Sequence, residues 1–335
     1  MSTPTTSTSE SGLASALLLD GKGGARRLDW AGVDAWTPAD GPLWLHLDYS
    51  APDAASWLQQ KSGIDPVILE ALLDTDPRPR TLPQPDDQLL LIVRGINHNL
   101  SSDPEDMISI RVWIEPNRIL TLRHRSSRSL ESLANDTVKG KGPRNVGEVT
   151  SQLVDRIVDH VVTRVDRLHD QIATSEDQIL SEKRGGDLRA YLADHRRRAI
   201  GLRRFLGPQR DALSKLTAIQ FPWLTDRHRA EITETTDRMM RAIEELDAAR
   251  ERAAVTQEEL SSKMGELTNQ RLYILSIITA VFLPLGFVCS LLGVNVGGVP
   301  LQTKEWAFWA LLGVFAVGVA IQFYIFRKRG WLKRD

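Results

Sequence analysis

The sequence predicts an α/β domain that feeds a long helix and ends in a two-helix transmembrane hairpin, and three observations carry that prediction. Strand-length apolar runs alternate with short helical patterns over residues 14–123. From Asp226 to Leu292 no Gly-Pro pair interrupts a helical pattern of 67 residues. Two uncharged segments, Tyr273–Leu292 and Trp306–Phe326, follow at 20 and 21 residues. That length crosses roughly 30 Å of hydrocarbon.

Taken in order, the opening MSTPTTSTSESG has neither basic residues nor an apolar stretch, so residues 1–13 read as a disordered tail and not a signal peptide. Within the α/β domain, 14–146, the runs SALLLD, PLWLHLDY, QLLLIVRGI, ISIRVWIE and RILTLRH read as strands. DAASWLQQ and DPVILEALL between them read as short helices opened by Asp or Pro. Residues 147–224 are helical and highly charged, with breaks expected at Gly185-Gly186 and Gly207-Pro208, and Pro222 interrupts them. Thr225 or Asp226 caps the next helix. Its stalk, 225–272, continues as the first span, 273–292. A helix of that length measures roughly 100 Å, improbable inside a globular domain and expected of one that rises into a membrane.

The link GVNVGGVPLQTKE, 293–305, is short enough to make the second span, 306–326, return directly. RKRGWLKRD, 327–335, then carries five Lys/Arg in nine residues and stays cytoplasmic by the positive-inside rule. A hairpin leaves both ends on one side, so the α/β domain and both termini are expected in the cytoplasm. Trp306 and Trp309 suit the far interface, Tyr324 and Trp331 the near one.

Whole-chain composition averages these two regions. Formal net charge is −1 over 335 residues, with no basic face dense enough for nucleic acid. Cys289 is the only cysteine, which excludes an intrachain disulfide and points to a reducing compartment. No P-loop, glycine-rich dinucleotide turn or nucleophile elbow occurs, so an enzyme is not expected.

Along the long helix one line alternates steps of 4 and 3, the spacing of one face of a supercoiled helix. It comprises Glu258, Ser262, Gly265, Asn269, Leu272, Ser276, Thr279, Leu283, Gly286 and Ser290. Through the span this face is mostly small or hydroxylated, whereas Ile274, Ile278, Val281, Leu285, Val288 and Leu292 make another that is large and apolar. Close helix packing and a water-containing pore both explain it. Two helices cannot enclose a channel, so a pore requires several copies around an axis.

NQRLYILSIITAVFLPLGFVCSLLGVNVGGVP, with RPRTLPQPDDQLLLIVRGINHN, DMISIRVWI and RAIEELDAARERAA, resembles the CorA-type divalent-cation transporter superfamily over nearly the whole chain beyond the tail. The superfamily carries Gly-Met-Asn where this chain has Gly293-Val294-Asn295. That form, followed by Gly297-Gly298-Val299-Pro300, is similar to the ZntB-type zinc branch, although Ser290 and Leu292 stand in place of its Gly and Phe. The resemblance implies a homopentameric funnel in a bacterial inner membrane, with Asn295 copies ringing the outer mouth. By position, Asn269, Leu272, Ser276, Thr279, Leu283, Gly286 and Ser290 would line the pore, above a stalk conduit of Glu258, Ser262 and Gly265. Gly293 and the 297–298 pair free the backbone to turn. The Asn295 amide oxygen can accept from the water shell of a cation without a formal charge.

The transported ion implied is Zn²⁺, with Co²⁺, Ni²⁺, Cd²⁺ or Mg²⁺ as alternatives, and no resident cofactor is expected. None of the seven histidines shows zinc-binding spacing, and none lies in the spans. Soft ligands being absent from the pore, a hydrated or weakly held ion is expected. Asp166, His169 and Asp170, in DRLHD, share one helical turn and read as a weak cytoplasmic metal site or a solvated face. Lys304 and Glu305 leave the loop neutral, so it attracts dications weakly and leaves room for a proton gradient as driving force. A Mg²⁺/Co²⁺ channel of the same superfamily and a membrane-anchored sensor or tether remain the competing readings.

Overall fold

Residues 88–95, QLLLIVRG, are buried almost end to end, which a strand achieves only when both faces of its sheet are covered. They form β5 of a seven-stranded mixed sheet. The computed structural model describes residues 11–99, 103, 105–180, 185–293, 301 and 304–328. It divides into two compact units, Met1–Glu258 and Glu259–Asp335.

In the first unit the strands are β1 (Leu13–Leu19), β2 (Ala25–Arg27), β3 (Leu43–Asp48), β4 (Arg80–Gln84), β5 (Gln88–Gly95), β6 (Ile108–Glu115) and β7 (Arg118–Arg123). The helices are α1 (Trp30–Ala35), α2 (Pro52–Gln60), α3 (Pro66–Leu73), α4 (Arg128–Val138), α5 (Val146–Leu180), α6 (Gly185–Ala218) and the first part of α7 (Asp226–Leu292). Sheet order is β2-β1-β3-β7-β6-β5-β4, and β3–β7 is its one parallel pair among the described residues.

Period-2 alternation sends the two faces of the sheet into different cores. Leu89, Leu91, Val93, Ile110, Val112 and Ile114 join apolar side chains of α4, α5, α6 and α7. Leu90, Ile92, Trp113, Leu120 and Leu122 join β3 and the short helices α2 and α3. Asp65 opens α3 as expected, accepting from the Val67 N–H at 2.8 Å with Pro66 in the first turn.

The structure adds elements that the pattern did not announce. β4 contains Pro83, which argues against a strand, yet β4 is the sheet edge, where a missing N–H can face outward without breaking an inner ladder. β2 and α1, at three and six residues, are too short to show a period. α4 lies beyond residue 123, in a stretch without a strong apolar signal. A correction concerns Gly207-Pro208: α6 continues through Pro208. Gly207 has no Cβ to clash with the proline ring, and buried Leu202, Leu206, Leu213 and Leu216 hold the helix on both sides of it. At the start of α7, the Thr225 hydroxyl lies 3.5 Å from the His228 N–H and the Thr225 carbonyl accepts from Arg229.

The second unit contains the rest of α7 and α8 (Trp306–Lys328). Both helices are long and apolar enough to cross a membrane, and their apolar side chains are largely uncovered.

Candidate functional site

The membrane-length part of α7 sorts its residues by face. Ile277, Ala280, Val281, Leu285 and Val288 are half-buried, at spacings of 3, 1, 4 and 3. On α8, Ala307, Leu311, Phe315, Gln322 and Phe326 are half-buried in the same way. A polar bond joins the two helices: Gln322 Nε2 donates to the Ala280 carbonyl at 3.1 Å. Ala280 precedes Pro284 by four, so its carbonyl has no intrahelical N–H to accept from. Within hydrocarbon such a group needs another donor, and Gln322 supplies it.

The seam occupies positions outside that half-buried set. Asn269, Leu272, Ser276, Thr279, Leu283, Gly286 and Ser290 are all exposed, as are Glu258, Ser262 and Gly265. A Cβ built at Gly265 or Gly286 meets nothing within 4 Å. Leu275, Ser276, Thr279, Ala280, Leu283 and Pro284 line a groove of about 480 Å³.

The hydroxyls in this groove have a defined polarity. Ser276 Oγ donates to the Leu272 carbonyl and Thr279 Oγ1 to the Leu275 carbonyl, each at 2.8 Å. With the hydrogen committed to the backbone, the oxygen lone pairs are what remain for a partner. That chemistry suits a cation or its water shell.

Gly293 ends α7, its N–H donating to the Cys289 carbonyl at 3.0 Å. Val294 and Asn295 lie outside the described residues, as do Gly297, Gly298 and the basic end from 329 onward. In the first unit His169 is half-buried, with Nε2 3.3 Å from Nη1 of Arg252. A guanidinium there opposes a dication. Asp166 and Asp170 are exposed, and no cluster of three or more His, Cys, Asp or Glu able to hold a metal occurs among the described residues.

Against known proteins, the family model for "CorA-like Mg2+ transporter protein" matches residues 39–328. The chain belongs to the CorA-like family. This CorA-like chain is 36% identical over 325 residues to the divalent cation transporter CmaX of Pseudomonas aeruginosa, covering 96% of this chain and 98% of that protein. It is 37% identical over 305 residues to the zinc transport protein ZntB of Yersinia enterocolitica, covering 90% and 91%. The solved structure of full-length CmaX superposes with a TM-score of 0.84 at 36% identity, covering 96% of this CorA-like chain and 99% of that one. The α/β domain, long helix and apolar helix pair are thus the family's architecture, and the protein is a membrane protein.

Sequence reasoning missed Pro284 and Gln322. The signal was present: Gln322 is the one amide side chain inside 306–326, and a polar residue in a span seeks a partner.

Proposed function

We propose that the protein is a divalent-cation transporter that carries Zn²⁺ through the axis of a homopentamer. The observation that carries this reading is the open, hydroxylated seam on the first span. Ser276 and Thr279 present acceptor oxygens in a groove, while Gly265 and Gly286 leave room for close approach. A face of that kind is poorly matched to lipid and well matched to an aqueous axis bounded by other copies.

In this reading Asn269, Leu272, Ser276, Thr279, Leu283, Gly286 and Ser290 line the path and Glu258, Ser262 and Gly265 extend it below. Gly293, Val294 and Asn295 form the outer mouth, where amide oxygens hold a hydrated dication weakly enough to release it. Both termini lie in the cytoplasm of a bacterial cell, since the basic segment after the second span resists translocation. Kinship to a protein named for zinc transport and to one named for divalent cations supports the ion class. With no acidic residue between 272 and 304, an accompanying proton moves along water and hydroxyls.

The test is mass and flux on the same preparation. Light scattering in detergent is expected to give five copies, and reconstituted vesicles are expected to take up Zn²⁺ in preference to Mg²⁺. A monomer without flux sinks the reading in favour of a tether. Uptake blocked by Mg²⁺ and indifferent to Zn²⁺ assigns the pore to magnesium.

A further inference from the structure

The sheet of the first unit carries a second candidate site, unrelated to the seam. Arg94 on β5 is register-paired with Ser109 on β6, and Arg111 lies two residues beyond Ser109. All three therefore share one face of the sheet. They border a cavity of about 360 Å³, with Tyr49 and Phe205 against the arginines and His124 and Arg125 at the exposed rim.

The two arginines are both buried, at 6% and 2% exposure, but they are treated differently. Arg94 is ion-paired with Asp76 and donates to the carbonyls of Met107 at 2.9 Å and Pro77 at 3.0 Å. No carboxylate lies within ion-pairing distance of Arg111 among the described residues, although Asp74 lies close enough to favour its charged form. Arg111 donates from Nη2 to the Asp74 carbonyl at 2.6 Å and bonds with the Tyr49 side chain, and its guanidinium lies 4.8 Å from the Tyr49 ring centroid. Its Nε is buried without an acceptor. Burial pulls its pKa below the usual arginine range.

A buried charge without a partner is costly, and buried charges in proteins are therefore paired. In the lining, Arg94, Arg111 and Arg125 stand against Asp76 and Asp106, which leaves one positive charge. The guanidinium fork matches the oxygens of phosphate in spacing and plane. A volume of this size falls within the range of small-molecule pockets, roughly 300–1,000 Å³, and exceeds what a bare halide needs.

We propose that this cavity binds a small phosphate-bearing anion, with Arg111 as its main ligand and Ser109 and Arg125 as further contacts. The buried Arg111 Nε, which has no acceptor, then finds one in a ligand oxygen. Binding places an anionic metabolite inside the α/β domain and makes it a candidate effector of the assembly.

Calorimetric titration of the full-length protein in detergent tests this, with inorganic phosphate and adenosine monophosphate as probes at ionic strength held constant with sodium chloride. Saturable binding of at least one probe is expected, weakened roughly tenfold or more in Arg111→Met through loss of a charge-assisted contact. Arg125→Ala, at an exposed rim position, is expected to weaken it several-fold without disturbing the fold. No binding of either probe to the wild-type protein overturns the proposal, including where a carboxylate of a second copy fills the cavity. Unchanged affinity in Arg111→Met that retains its circular dichroism overturns it equally. If that variant fails to fold, unchanged affinity in Arg125→Ala decides against it.

Discussion

Gln322 on α8 donates to the carbonyl of Ala280 on α7, the one acceptor that Pro284 leaves without a helical partner. The proline and the glutamine thus act as a pair, 38 positions apart in sequence. A span that carries a proline loses a ladder bond and clashes with the preceding turn. The second span restores the bond and fastens the hairpin at that depth.

Gln322→Leu is expected to lower hairpin stability by about 1 kcal/mol, the typical scale of an interhelical hydrogen bond in a membrane. In a Pro284→Ala background the Ala280 carbonyl regains a helical donor, and the same substitution is expected to cost little. Thermal unfolding of the four proteins of this cycle, followed by circular dichroism in one detergent, measures the coupling. Equal costs in both backgrounds would show that the two residues act separately.

Gly147 reverses an ordinary rule. Glycine inside a helix is normally worse than alanine by about 1 kcal/mol. A Cβ at Gly147 on α5, however, would lie 2.3 Å from His228 Nδ1 and 2.4 Å from the Trp223 carbonyl. Gly147→Ala is therefore expected to destabilise by about 1–3 kcal/mol, the range for overpacking. Chemical denaturation followed by tryptophan fluorescence checks the sign.

His46 on β3 is 3% exposed, with Nδ1 3.0 Å from Thr121 Oγ1, and burial pushes its pKa down to about 4. Its unfolded value is about 6.5. Between these values the unfolded chain binds the proton and the folded chain does not, so stability falls as pH drops from about 6.5 to about 4. Above that window the contribution is complete. The loss across it is about 3 kcal/mol. Urea midpoints over this range, compared with those of His46→Gln, are expected to differ in slope, the variant being flatter.

If the seam faces water, a thiol placed on it ionises and reacts, whereas one in hydrocarbon does not. In a Cys289→Ala background, Thr279→Cys is expected to react with a charged methanethiosulfonate at least roughly tenfold faster than Phe287→Cys, which is exposed on another part of the helix. Equal rates would remove the aqueous axis.

Much of this architecture is legible in the sequence because its signals are local. Strands β5 and β6 show as apolar runs, α3 shows through Asp65-Pro66, and α7 shows through 67 residues of helical pattern. Elements that depend on position in the sheet are not legible: β4 tolerates Pro83 only because it is an edge. The continuity of α6 across Pro208 depends on tertiary packing that no local rule contains. The seam's 4-and-3 spacing is visible in sequence, because a helix face is a property of one segment. The Gln322–Ala280 bond and the unsatisfied Nε of Arg111 are not, since each depends on partners brought together by folding.

Zn²⁺ uptake into dye-loaded proteoliposomes reports whether divalent cations cross through the seam and its mouth. Wild type and Asn295→Ala are compared with and without an imposed pH gradient, both confirmed as the same oligomer. Wild-type uptake is expected to rise with the gradient and to be lost in Asn295→Ala. Uptake undiminished in Asn295→Ala, or no flux of any dication through an intact pentamer, would contradict passage by that route.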